Sequence, residues 1–221
     1  MKRDFLTLKD LTPTELTAVV HRASELKKTS FNPATTELLR SRAIVLICEK
    51  SSTRTRVSFE VACAQFGGSS IFLSPGDSQM SRGESISDTA KIVSRMADLI
   101  VMRTGAHARL ETMAEHSAVP VINALSDDFH PCQLLADLQT FNEHRGDIRD
   151  AKIAFVGDGS SNVCHSWINA SSMMQFSITV GTPPQYHPKL EIASAAGARY
   201  NVTDNVSEAV KDADLVITDT W

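Results

Sequence analysis

The sequence predicts an α/β protein made of two doubly wound parallel-sheet domains, the second incomplete. Three observations predict it. Apolar segments of strand length alternate with segments of helical periodicity along the whole chain. The strand-like segments are continuously apolar rather than alternating, as expected of parallel strands covered on both faces. A polar stretch, "EHRGDIRDAK" near 145–151, interrupts the alternation just before a fresh apolar run. The expected domains are therefore 1–147 and 148–221.

The elements follow in order. Thr12-Pro13-Thr14-Glu15 reads as a helix start. Thr12 can cap, Pro13 suits the first helical position, and Glu15 occupies the capping-box position. Leu16, Val19, Val20 and Ala23 would form the apolar face. Strands are expected at 43–48, 70–73, 98–102, 119–122, 152–156, 177–181 and 214–218, with a weaker one near 199–202. Helices are expected around 53–66, 85–96, 107–116, 131–144, 164–174, 188–196 and 206–211.

Bulk properties exclude some function classes. The 221 residues carry 42% hydrophobic and 22% charged residues, an ordinary globular composition. A net charge of −4 argues against nucleic acid as a main partner. No apolar run is long enough to cross a bilayer, so no membrane partner is expected. "MKRDFLTLKDL" lacks the apolar core of a secretory leader. Cysteines 48, 63, 132 and 164 show no metal-ligand spacing, and scattered thiols suit a reducing cytoplasm. The chain stops at Leu215-Val-Ile-Thr-Asp-Thr-Trp221, where a strand pattern has just ended, so a longer natural chain is expected.

Ligands of open parallel sheets collect outside the carboxyl ends of the strands. After strand 43–48 comes Ser52-Thr53-Arg54-Thr55, after 98–102 comes Arg103, and after 119–122 a loop leads to His130-Pro-Cys-Gln133. Free N–H groups at a helix start, three hydroxyls and a guanidinium fork suit a phosphate. Taken alone, the same residues are also compatible with a plain Ser/Thr cap beside solvated arginines. His130 alone is compatible with a structural histidine. Cys132 has no second His or other basic partner visible beside it that would activate it as a nucleophile. No Walker loop is present. "GDGSSN" at 157–162 departs from the dinucleotide pattern and reads as an ordinary strand–helix turn capped by Ser160 or Asn162.

The segments "EKSSTRTRVSFE", "DSQMSRGESISDTA", "MADLIVMRT", "HPCQLLADLQT", "FVGDGSSNVCHS" and "LVITDTW" occur here in this order. Their order and content resemble the aspartate/ornithine carbamoyltransferase superfamily, and "HPCQ" with "DTW" resembles its ornithine branch. The resemblance spans essentially the whole chain. It implies transfer of a carbamoyl group from carbamoyl phosphate to the δ-amine of L-ornithine, giving citrulline and phosphate, without cofactor or metal. Ser52, Thr53, Arg54, Thr55 and Arg103 would hold the phosphate, and His130 and Gln133 the carbamoyl end. Arg54, Thr55 and His130 would meet at the carbonyl oxygen as the catalytic groups. Gln79 would reach a neighbouring subunit's site within a homotrimer or a multiple of one, and Asn162 and Asp219 would contact ornithine. Other segments of the family, including a Ser-Met-Gly loop that closes over ornithine, have no counterpart among these residues. A non-catalytic module that binds carbamoyl phosphate, or that serves only in assembly, is therefore an alternative, and an aspartate carbamoyltransferase a further one.

Overall fold

The computed structural model describes residues 2–28, 37–74 and 76–220. Trp221, the last residue of the quoted "LVITDTW", lies outside them. The chain divides into two compact units, one of Met1–Leu6 and Glu25–Asp127, the other of Thr7–Ser24 and Asp128–Trp221.

The first unit holds β1 (Ala43–Cys48), α2 (Thr53–Gln65), β2 (Ser69–Leu73), α3 (Ile86–Val93), β3 (Leu99–Arg103), α4 (His107–His116) and β4 (Val121–Leu125). Its sheet is parallel in the order β2-β1-β3-β4. The N-terminal segment lies alongside β4, with Phe5 N–H donating to Val121 O and Asn123 N–H to Phe5 O, both at 2.8 Å. Successive residues of the central strands point to opposite faces. Val45, Ile47, Ile100 and Met102 pack on Ala90, Leu110 and Met113. Ile44, Leu46 and Val101 pack with Cys63 and Phe59 of α2. Both faces are thus covered, which is why β1 and β3 contain unbroken apolar runs. Edge strand β2 departs from that expectation, for Ile71 is 52% exposed.

The second unit begins with α1 (Pro13–Lys28), most of which belongs to it. The capping box forms as expected. Thr12 Oγ1 accepts from Glu15 N–H at 3.2 Å and Glu15 Oε2 accepts from Thr12 N–H at 2.8 Å. Leu16 and Val20 are buried, but Val19 turns outward at 39% exposure, so the apolar stripe is narrower than expected. There follow α5 (Pro131–Arg145), β5 (Lys152–Val156), α6 (Asn162–Met174), β6 (Ser177–Gly181), α7 (Leu190–Ala196), β7 (Tyr200–Thr203), α8 (Val206–Ala209) and β8 (Leu215–Ile217). The sheet is parallel in the order β7-β6-β5-β8. Its core contains Phe155, Ile168 and Val180, with Trp167 set edge-on against Phe176 at 5.7 Å. Most of α6 is buried, from Val163 to Ser171, which explains why its sequence lacks a polar face.

Each sheet has one point where the strand order reverses. In the first it falls between β1 and β3, in the second between β5 and β8. Connections leave such a pair toward opposite faces and open a crevice at the carboxyl ends of the strands.

Candidate active site

At the reversal of the first sheet, Cys48 and Arg103 lie side by side as the last residues of β1 and β3. Ser52 caps α2, its hydroxyl oxygen accepting from Thr55 N–H at 3.2 Å. That leaves the N–H groups of Thr53 and Arg54 facing outward with no acceptor from the helix. Ser52 Oγ–H also donates to Thr55 Oγ1 at 2.8 Å, and Arg103 Nη1 donates to the same oxygen at 3.2 Å. Both acceptor positions of Thr55 Oγ1 are then filled, so its own proton is left to donate elsewhere.

The arginines here divide into two kinds. Arg56 is tied to Glu60 at 3.1 Å and lies over the Phe72 ring at 3.9 Å. Arg109 is tied to Glu49, which also accepts from Thr104. Arg54 and Arg103 have no carboxylate partner among the described residues, and Arg103 Nε is buried without any hydrogen-bond partner. A buried, unsatisfied donor of this kind costs roughly 1–3 kcal/mol. Such a cost falls when an acceptor reaches the group, and two guanidinium groups without carboxylate partners beside two outward N–H groups make a cradle that favours an anion.

Glu49 escaped attention in the sequence, because its partners lie far along the chain. Burial raises its pKa, but hydrogen bonds from Arg109 and Thr104 outweigh that and hold the carboxyl below its usual range. Its N–H donates to Arg103 O at 2.9 Å, fixing the loop between β1 and α2 against the end of β3. Lys50 is paired with Asp127 at 2.8 Å on the far side of the same loop. Gln79 opens a 3₁₀ turn, Gln79–Arg82, that ends on left-handed Gly83. Its side chain is exposed.

The second unit gathers the remaining expected residues. His130 stands at the N-cap of α5, its N–H donating to Ser166 Oγ at 2.8 Å. Ser166 Oγ–H donates in turn to the carbonyl of Asn162 at 2.7 Å, so His130 and the first residue of α6 are locked together. Gln133 Nε2 donates to Asp137 Oδ1 at 2.9 Å. Asp219 follows β8, so Asn162 and Asp219 stand at the two carboxyl ends that flank the reversal of the second sheet. Burial pushes the Cys132 thiol up to about 12, which disfavours the thiolate a nucleophile needs.

The turn after β5 corrects one expectation. The cap of α6 is Ser161, accepting from Cys164 N–H at 3.2 Å, not Ser160 or Asn162. Ser160 instead donates to Asp158 Oδ1 through its N–H at 2.9 Å and its hydroxyl at 2.6 Å. Gly159 is required sterically, since a Cβ there would sit 2.7 Å from Tyr186 O and 2.9 Å from Thr182 Cγ2. The glycine-rich turn is thus explained by packing, without a dinucleotide.

Two parallel α/β sheets with polar clusters at their reversals define a doubly wound α/β protein of two units, and comparison with known proteins gives its family. Residues 3–143 match the family model "Aspartate/ornithine carbamoyltransferase, carbamoyl-P binding domain", and 149–221 match "Aspartate/ornithine carbamoyltransferase, Asp/Orn binding domain". The chain is 51% identical to the ornithine carbamoyltransferase of Methylococcus capsulatus, over 99% of this chain and 72% of that protein. It is 50% identical to that of Halorhodospira halophila, over 99% and 73%. The crystal structure of the Burkholderia thailandensis ornithine carbamoyltransferase superposes with a TM-score of 0.93 at 42% identity, covering 99% of this chain and 76% of the other. The Pyrococcus furiosus enzyme superposes with a TM-score of 0.92 at 39% identity, covering 99% and 72%. The chain belongs to the ornithine carbamoyltransferase family.

Proposed function

We propose that this chain moves the carbamoyl group of carbamoyl phosphate to the δ-amine of L-ornithine, releasing citrulline and phosphate. The observation that carries the proposal is the pair Arg54 and Arg103, which have no carboxylate partner among the described residues, beside the open N-terminus of α2. In this reading the functional division runs at 147/148, with carbamoyl phosphate held by the first part and ornithine by the second. Ser52, Thr53, Arg54, Thr55 and Arg103 hold the phosphate. His130 and Gln133 hold the carbamoyl end, Gln79 serves a neighbouring copy, and Asn162 and Asp219 hold ornithine. Arginine biosynthesis in the cytoplasm, by a trimer or a multiple of one, is the setting this role implies.

The neutral δ-amine attacks the carbonyl carbon, and the C=O electron pair moves onto oxygen. Donors from Arg54, Thr55 and His130 stabilise that oxyanion, the kind of contact whose loss typically costs a hundredfold or more in rate. The oxyanion then collapses, the C–O bond to phosphate breaks, and the arginines and helix N–H groups carry the leaving charge. The attacking nitrogen gives its proton to the departing phosphate, leaving the neutral ureido group of citrulline. Much of the acceleration comes from holding the two reactants in line.

Calorimetry with phosphonoacetamide, a non-transferable analogue of carbamoyl phosphate, tests the cradle. Binding to the chain is expected, weakened at least tenfold in Arg54→Ala. Absence of binding, or an unchanged affinity in that variant, rules out the assignment. A parallel assay for citrulline tests transfer. Binding without citrulline would reduce the function to the capture of carbamoyl phosphate, and carbamoyl-aspartate as product would move the chain to the aspartate branch.

A further inference from the structure

One polar group in the second unit has no part in the reaction above. Asp137 lies one turn below Gln133 on α5 and accepts its Nε2–H at 2.9 Å. The side chain is half-buried. Trp167, only 1% exposed, has a buried indole N–H that makes no well-formed hydrogen bond, yet it lies close enough to Asp137 to favour its charged form. Asp219 is close enough to oppose that charge. A carboxylate partly removed from water, with the charge of a second carboxylate acting on it, is costly. Its i,i+4 hydrogen bond to Gln133 contributes only about 0.2–0.5 kcal/mol on a helix, which directs attention to what the carboxylate does to that neighbour.

That neighbour is an amide with two chemically opposite ends. A side-chain amide can turn over at little steric cost, presenting either NH₂ or C=O to a ligand. An ionised carboxylate accepts hydrogen bonds and repels a carbonyl oxygen, so it permits one orientation only. We propose that Asp137 is a positioning residue: by accepting the Nε2–H of Gln133 it fixes the amide so that Gln133 Oε1 is the atom offered to the carbamoyl NH₂ group of the substrate. The inference rests on the reading that Gln133 meets the carbamoyl end, and it explains why that amide needs a fixed orientation. The carbamoyl nitrogen carries two protons and needs an acceptor, while the carbonyl oxygen needs donors. Without Asp137 the amide would present its NH₂ part of the time and meet the carbamoyl NH₂ donor to donor.

Burial raises the Asp137 pKa first, the Gln133 and Trp167 N–H groups lower it, and Asp219 raises it again, leaving the carboxyl above its usual range. Asp137→Asn therefore removes a destabilising charge, and the variant is expected to fold. The amide introduced by that change can either accept from Gln133 or donate to it, so the preference between orientations is lost.

A double-mutant cycle on phosphonoacetamide affinity separates positioning from packing. Asp137→Asn alone is expected to weaken binding about fivefold or more. In the Gln133→Ala background the same change should alter affinity less than twofold, because there is no amide left to orient. An undiminished effect in that background would overturn the proposal while leaving the phosphate cradle intact. Failure of the wild-type chain to bind the analogue would instead count against the proposed function. A ligand-free measurement settles positioning either way. The Gln133 side-chain NH₂ resonances should move on Asp137→Asn, and identical resonances in both chains would sink the inference.

Discussion

At the residue scale, what distinguishes the candidate site is which charges have been left unspent. Arg56 and Arg109 resemble Arg54 and Arg103 in sequence, but Glu60 and Glu49 neutralise them locally. An Arg bound to carboxylates on its own chain has fewer donors left for a ligand. Polar residues away from the site are spent differently. His165 is fully buried on α6, with Nδ1 3.2 Å from Asp128 O and Nε2 accepting from Lys189 N–H at 3.3 Å. Burial lowers its pKa first. The Asp128 carbonyl and carboxylate and the Asp158 charge oppose that, Lys189 reinforces it, and the net shift is downward. Between the depressed folded value and the ordinary value of 6.5, the unfolded chain binds more protons than the folded one. Stability therefore falls as pH drops below about 6.5. Urea midpoints measured from pH 5 to 7.5 should show this slope, and His165→Gln should flatten it. An equal slope in the variant would mean that another group carries the acid sensitivity.

At the scale of elements, turns and caps decide where the functional side chains stand. Ser52 at the start of α2 is both cap and donor to Thr55, so one hydroxyl sets the helix start and the orientation of a proposed catalytic group. In the second unit the turn between β5 and α6 brings Asn162 to the sheet reversal, and Gly159 allows that turn to pass beneath Tyr186 O. Gly159→Ala should destabilise the chain by about 1–3 kcal/mol, because the obstructing atom is backbone and cannot rotate away. Gly76→Ala is the matched control, with its nearest neighbour 3.9 Å from the added carbon, and should stay within about 0.5 kcal/mol. Chemical unfolding of both variants measures the difference, and equal midpoints would show that the turn yields.

At the scale of the whole molecule, the exposed Gln79 side chain carries the proposed link between copies. If Gln79 completes a neighbouring copy's site, chains inactivated by Gln79→Ala and chains inactivated by His130→Ala should complement each other when mixed. Some sites in a hybrid trimer then hold both wild-type groups. Activity recovered after subunit exchange, tracked with a mass-tagged chain, supports sharing. No recovery despite verified exchange would mean that each site is built from a single chain.

The strand–helix alternation, the capping box at Thr12 and the loop residues Ser52 to Thr55 were all legible in the sequence, because each rests on neighbours a few residues apart. Apolar periodicity and cap chemistry are local, so single-chain patterns carry them. The order of strands within each sheet was not legible, although it alone puts Arg103 beside the start of α2 and Asn162 opposite Asp219. Nor could local pattern show that Glu49 would claim Arg109, 60 residues away, and leave Arg103 uncommitted. The tie between Asp137 and Gln133 sat in plain view at helical spacing, but its meaning depended on Trp167 and Asp219 arriving from other elements. Sequence alone decided the class of fold and the kinds of chemistry present. Tertiary structure decided which charges meet, because electrostatic partnership depends on distance in space and on exclusion of water, and neither is written in the order of residues.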